Sequence, residues 1–360
     1  MHKLSGIVFW LGLLIFSVVA VLALTDNVVS EIVIGLMLSA ERHFLAVACL
    51  CSAALIGASL IIRRKKGIEL PKWRLSVFGL TLLCIVVLSI AAAFPGFATK
   101  DVAYISEGVE IRATIYMPEM SEPVPAIVLI PGSAPFPRRF YDAYASRLVK
   151  YGYAVLVADK RGAGESGGVF ESNNNTSIEN LRLLATDVIA GVDFIAKQPA
   201  VDPRRIGLFG ISQAGWVSAL VVSQTPDVKF LVLVTAPAVS VGEEGTWSDL
   251  RGDDESDPVT GLANAEEEIT STRPLGFDPR DYLKRQTIPS FWLFGDSDNS
   301  VPSQKSISVL ESMPNERINI KLYSNYGHML IGTGTGNLVN VAEQSWQDIK
   351  DWLDEVDSRY

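Results

Sequence analysis

Residues 99–360 are predicted to fold as an α/β domain on a mostly parallel sheet of eight strands with helices on both faces, behind a membrane region over residues 1–98. Three observations predict this. From residue 100 onward, short β-rich runs alternate with stretches of helical periodicity, the pattern of a parallel sheet covered on both sides. The first 98 residues hold three long uncharged apolar runs. The charge divides at the same point, net +4 over residues 1–98 and −13 over the remainder, for −9 overall.

The runs 6–24, 44–62 and 75–94 are each long enough to cross a hydrocarbon core, which takes about 20 helical residues. Residues 28–40 are shorter and carry Glu31, so they read as an interfacial segment or a weak fourth span. The loop 63–74, RRKKGIELPKWR, is strongly basic, which assigns it to the cytoplasm and puts everything after Phe94 on the extracytoplasmic side of an inner or plasma membrane. The lipid bilayer is thus one expected partner. Nucleic acid is not, because the acidic domain lacks the clustered Lys and Arg that phosphate binding requires. Cys49, Cys51 and Cys84 all precede residue 98, so the domain has neither a disulfide nor a cysteine nucleophile.

Within the domain, residues 102–106 and 109–117 are expected to pair as a hairpin about Glu107-Gly108. Strands follow at 126–130, 153–158, 206–211, 228–235, 288–294 and 317–323, with Asp202-Pro203 as the turn into the third of these. Helices are expected at 139–151, at 178–198 (apolar at Leu181, Leu184, Val188, Val192 and Ile195), at 214–224 and at about 339–356. Residues 240–287 break the rhythm. They are polar, acidic and glycine-bearing, and read as a lid-like insertion or a mobile segment.

A buried strand at 206–211 leads directly into Gly210-Ile-Ser212-Gln-Ala214-Gly215 and then a helix. A serine on such a sharp strand-to-helix turn presents its hydroxyl above the sheet, and the residues two before and two after it must be small, as Gly210 and Ala214 are. A serine needs a base to become nucleophilic. Of His2, His43 and His328, only His328 lies in the domain, just after the last strand. An acid that fixes the histidine tautomer is expected between the two in chain order, and Asp296 and Asp298 both follow the strand that ends at Gly295. Residue spacing does not choose between them. The backbone N–H groups of Ser133, after Pro131-Gly132, and of Gln213 are the candidate oxyanion donors. No cofactor or metal is implied, since one histidine and no cysteine leave only carboxylates as ligands.

Together these motifs, with Gly295-Asp-Ser-Asp298-x-x-Val301-Pro302 and Asp159-Lys-Arg161-Gly162-x-Gly164-x-Ser166, resemble the α/β-hydrolase superfamily over residues 105–358. Pro131-Gly132-Ser133 is similar to the oxyanion loop of its esterase, prolyl-oligopeptidase-like and aminopeptidase-like members, with proline where histidine is usual. Ala214 likewise stands where glycine is commoner. The resemblance implies the α/β-hydrolase fold and a Ser212, His328, Asp298 triad, because family members place the acid three residues after the glycine. The run at 159–166 is assigned no catalytic role. The expected function is that of a membrane-anchored serine esterase acting on a small acyl ester. The alternatives are a peptidase for short peptides, an acyltransferase to an envelope acceptor, and a receptor or scaffold on an inactive fold.

Overall fold

A computed structural model describes residues 97–171, 175–251, 262–314, 316–330 and 343–359. These belong to the second of two units into which the chain divides, Phe97–Tyr360. The expected spans at 6–24, 44–62 and 75–94, and the segment 28–40, lie outside the described residues. Among the described residues no helix is long and apolar enough to cross a membrane.

Eight strands form one sheet: β1 (Phe97–Ser106), β2 (Val109–Pro118), β3 (Val124–Ile130), β4 (Ala154–Ala158), β5 (Val201–Ile211), β6 (Val228–Val234), β7 (Ser290–Gly295) and β8 (Ile318–Tyr323). Their order is β1-β2-β4-β3-β5-β6-β7-β8. β2 runs antiparallel to both its neighbours, and every pair from β4 to β8 is parallel. The β1–β2 hairpin turns at Glu107 and Gly108, both at positive φ, the backbone that a two-residue turn of matching twist demands. β5 starts earlier than expected. Its ladder to β3 is interrupted between Val201 and Ile206, where Asp202 and Pro203 fall and where proline has no N–H to pair.

The helices are α1 (Asp142–Lys150), α2 (Ile178–Ala196), α3 (Ala214–Gln224), α4 (Val241–Arg251), α5 (Leu262–Ser271), α6 (Arg280–Arg285), α7 (Ser303–Glu311) and α8 (Glu343–Asp357). Two cores fill the two faces of the sheet. On one, Ala126, Val128 and Ile130 of β3 meet Leu181, Ala185 and Val192 of α2 and Trp216 and Leu220 of α3. On the other, Ile127 and Leu129 meet Leu148 of α1 and Trp346, Trp352 and Leu353 of α8. Successive residues of β3 therefore serve opposite cores, which is why the central strands read as unbroken apolar runs. Each large apolar side chain buried in this way contributes roughly 1.5–3 kcal/mol.

The expected insertion at 240–287 contains α4, α5 and α6. Trp247, Ala265 and Ile269 form a small buried cluster of their own there.

Candidate active site

Ser212 is the first residue after β5 and precedes α3. It sits at φ 52°, in the left-handed region that costs an L-residue roughly 1–2 kcal/mol. Its surroundings enforce the turn. The Ser212 N–H donates to Val234 O at 3.1 Å, and Ser212 O accepts from the Gly215 N–H at 3.0 Å. A Cβ on Gly210 would lie 2.5 Å from that of Ala214, so a larger residue at 210 would push the elbow open.

Backbone bonds carry the same edge across the sheet. Thr235 N–H donates to Leu293 O at the end of β7, and Asp296 N–H donates to Tyr323 O at the end of β8. Ser212, Asp298 and His328 thus follow the carboxyl ends of β5, β7 and β8.

The structure places Asp298 against the imidazole. His328 Nδ1 lies 3.1 and 3.0 Å from its two carboxylate oxygens. An ionised carboxylate only accepts, so in this contact Nδ1 is the donor. Asp298 is 1% exposed, and its Oδ1 also accepts the N–H groups of Ser300 (2.8 Å) and Val301 (2.9 Å). These bonds explain the Asp-x-x-Val spacing, because the turn wraps its own amides around the carboxylate. Asp296 is occupied elsewhere. Its Oδ1 accepts from the Ser297 hydroxyl and from the Asn325 N–H, both at 2.8 Å. Gly295 lets the histidine loop come close, since a Cβ there would fall 2.1 Å from Tyr326 O.

The loop after β3 lies beside the elbow. A Cβ added at Gly132 would meet Ser212 Cβ at 3.5 Å. The Gly132 N–H is engaged by the Tyr141 hydroxyl, whose burial raises it above the ordinary phenol range. Among the described residues no acceptor takes the backbone N–H of Ser133 or of Gln213.

Asp159, Lys160 and Arg161, in the loop after β4, reach in three directions. Asp159 accepts from the guanidinium and backbone N–H of Arg138 and from the Glu165 N–H. Arg161 holds Asp187 through two hydrogen bonds, at 3.1 and 2.6 Å. Lys160 donates to Ser133 O at 3.0 Å and to Gln213 Oε1 at 2.7 Å, and the Gln213 amide donates onward to Asn175.

Trp247 of α4 also reaches the site, its indole N–H donating to Asp298 O at 3.1 Å. Lys160 and Trp247 are hard to recognise from sequence as site neighbours. Lys160 sits inside a run that reads as a structural turn, and Trp247 lies in an acidic segment of no clear period.

Comparison with known proteins places the architecture. The 2,6-dihydroxy-pseudo-oxynicotine hydrolase superposes with a TM-score of 0.55 at 16% identity, over 91% of this chain and 87% of that one. The Pyrococcus furiosus esterase Pf2001 superposes with a TM-score of 0.51 at 17% identity, over 73% and 94%. This is the α/β-hydrolase fold.

Two family models match parts of it: the X-Pro dipeptidyl-peptidase (S15) family over residues 107–257, and the C-terminal domain of the BAAT and acyl-CoA thioester hydrolases over 190–355. The thiohydrolase apmlB of Arthrinium phaeospermum is 30% identical over 129 residues, 36% of this chain and 39% of that protein. The chain thus spans well under half the length of that relative. These three proteins are, by name, a thiohydrolase, an esterase and a hydrolase.

Proposed function

We propose that the chain is a serine hydrolase that cleaves a small acyl ester or thioester through an acyl-enzyme. The observation that carries this reading is the buried Asp298 carboxylate on His328 Nδ1, at the sheet edge where Ser212 occupies a left-handed turn. In this reading Ser212 Oγ attacks the substrate carbonyl and His328 Nε2 takes its proton. Asp298 holds the imidazole in the tautomer that can do so and favours the imidazolium once formed. The Ser133 and Gln213 N–H groups receive the oxyanion. His328 returns the proton to the leaving group, then activates the water that releases the acid. The match to thioester hydrolases over residues 190–355, which include all three triad positions, favours acyl chemistry.

The S15 match over 107–257 favours a second reading, a peptidase for short peptides. A peptidase that captures a free amino terminus needs an available carboxylate. Within the described part of the acidic insertion, the buried Glu243 is already tied to Arg280.

One panel tests both readings: p-nitrophenyl esters, acyl thioesters, and aminoacyl and dipeptidyl anilides, run on the parent and on Ser212→Ala. Ser212→Ala is expected to lower turnover of its best substrate by roughly 10³–10⁶-fold and to abolish fluorophosphonate labelling. Unchanged turnover in that variant would remove the acyl-enzyme reading, and anilides as the best substrates would select the peptidase.

We further propose that residues 1–98 anchor the enzyme in a bilayer, with the catalytic domain outside the cytoplasm. The three apolar runs and the basic loop 63–74 support this.

A further inference from the structure

Among the described residues Lys160 has no carboxylate partner. It is 8% exposed, and burial pushes it down to about 7. Its carboxylate neighbours in the fold are committed, Asp159 to Arg138 and Asp187 to Arg161. Among the described residues no acid lies within ion-pair distance of its ammonium. Burying a cation with only neutral acceptors costs several kcal/mol, where a methionine of similar length would fill the same space at no such cost.

The two acceptors it does have are specific. They are the main-chain oxygen of Ser133 and the side-chain oxygen of Gln213. These residues belong to two different loops, after β3 and after β5, and each carries one of the two backbone N–H groups assigned to the oxyanion. Lys160 itself comes from a third loop, after β4. The ammonium therefore ties both halves of the anion site to one fixed point. The Gln213 amide extends the tie to Asn175.

We propose that Lys160 is the positioning residue of the oxyanion hole. By bonding Ser133 and Gln213 at once, it holds their two N–H donors at the separation a tetrahedral acyl oxyanion requires. This inference rests on the acyl-transfer reading of the same site. Preorganised donors act on the transition state more than on the bound substrate, so the signature is a loss in kcat rather than in KM.

The test uses the full chain and Lys160→Met, which keeps most of the stem volume and removes the ammonium. The variant is expected to label at Ser212 with a fluorophosphonate to the same final extent, but more slowly. Its kcat on an activated p-nitrophenyl ester should fall roughly 10- to 100-fold, with KM within about threefold of the parent. A trifluoromethyl ketone, which forms an oxyanion adduct, should lose affinity by the same factor as kcat/KM, while the methyl ketone of the same shape binds unchanged.

A kcat within about threefold of the parent, or a loss confined to KM, overturns the proposal. If Lys160→Met fails to fold, as judged by its melt, Gln213→Leu removes one acceptor instead. It should show the same selective loss in kcat and in trifluoromethyl ketone affinity, roughly 3- to 10-fold. Parental values in that variant overturn the proposal equally. Absence of labelling in the parent protein would instead remove the acyl-transfer reading on which the inference stands.

Discussion

Two aspartates two positions apart, Asp296 and Asp298, have separate tasks. Asp298 faces His328, and Asp296 pins the turn at Ser297 and Asn325. Asp298→Asn leaves the shape intact but offers the imidazole an amide in place of an acceptor-only carboxylate. Its kcat is expected to drop by about 10³–10⁴-fold, whereas Asp296→Asn should stay within roughly tenfold. Assays of both variants on one activated ester, at one pH, check this, and the reverse ranking would reassign the acid. Residue order alone left this choice open, because both side chains follow the same strand end. What separates them is their partners in the fold, the Ser297 hydroxyl and Asn325 N–H for Asp296 and the imidazole of His328 for Asp298. Ser212 and His328, by contrast, stand out in the sequence as candidates: one lies in a turn that only small neighbours permit, and the other is the single histidine of the domain.

The insertion is built as helices with a definite start. Ser240 and Glu243 cap α4 reciprocally. The Ser240 N–H and hydroxyl donate to Glu243 Oε2 at 2.9 and 2.8 Å, and the Ser240 hydroxyl accepts the Glu243 N–H at 3.3 Å. Arg280 of α6 then grips the same carboxylate at 2.8 Å. Burial works against ionising Glu243, but Arg280 and the Ser240 donors outweigh it and hold the carboxyl below its usual range. A depressed folded value stabilises the fold above the unfolded pKa, and that contribution is lost as pH falls through the folded one. Glu243→Gln is therefore expected to lower the melting temperature at pH 7 and to lose less than the parent when pH drops below about 4.3. Ser240→Ala is expected to cost about 1 kcal/mol, a fall of roughly 2–4 °C for a domain of this size. Thermal melts at several pH values read both. The acidic run 243–268 reads from sequence as a solvated face, because spacing gives no sign that an arginine twelve residues beyond it folds back onto its first turn.

At the scale of the whole chain, strand positions were legible because buried parallel strands are continuously apolar, as in AIVLI at 126–130. The closing helix was legible from the spacing of Trp346, Ile349, Leu353 and Val356, all buried. Less legible were the five extra residues at the start of β1 and the early onset of β5. Both are edge or bulged pairings that a mixed polar sequence such as FATKD conceals. The proposed anchoring makes its own prediction. In intact cells a membrane-impermeant maleimide should label a cysteine introduced at the exposed Glu355, after serine replaces the native cysteines, and should spare one placed in the loop 63–74. The opposite pattern would invert the topology.

A last consequence concerns Trp247, whose indole holds the main-chain oxygen of Asp298. The insertion is thereby bonded to the same residue whose carboxylate faces His328. In the proposed mechanism, a substrate tail that displaced α4 would disturb the carboxylate that orients the imidazole, so tolerance for bulky acyl groups should be bounded by how far that helix can shift before the imidazole loses its bearing.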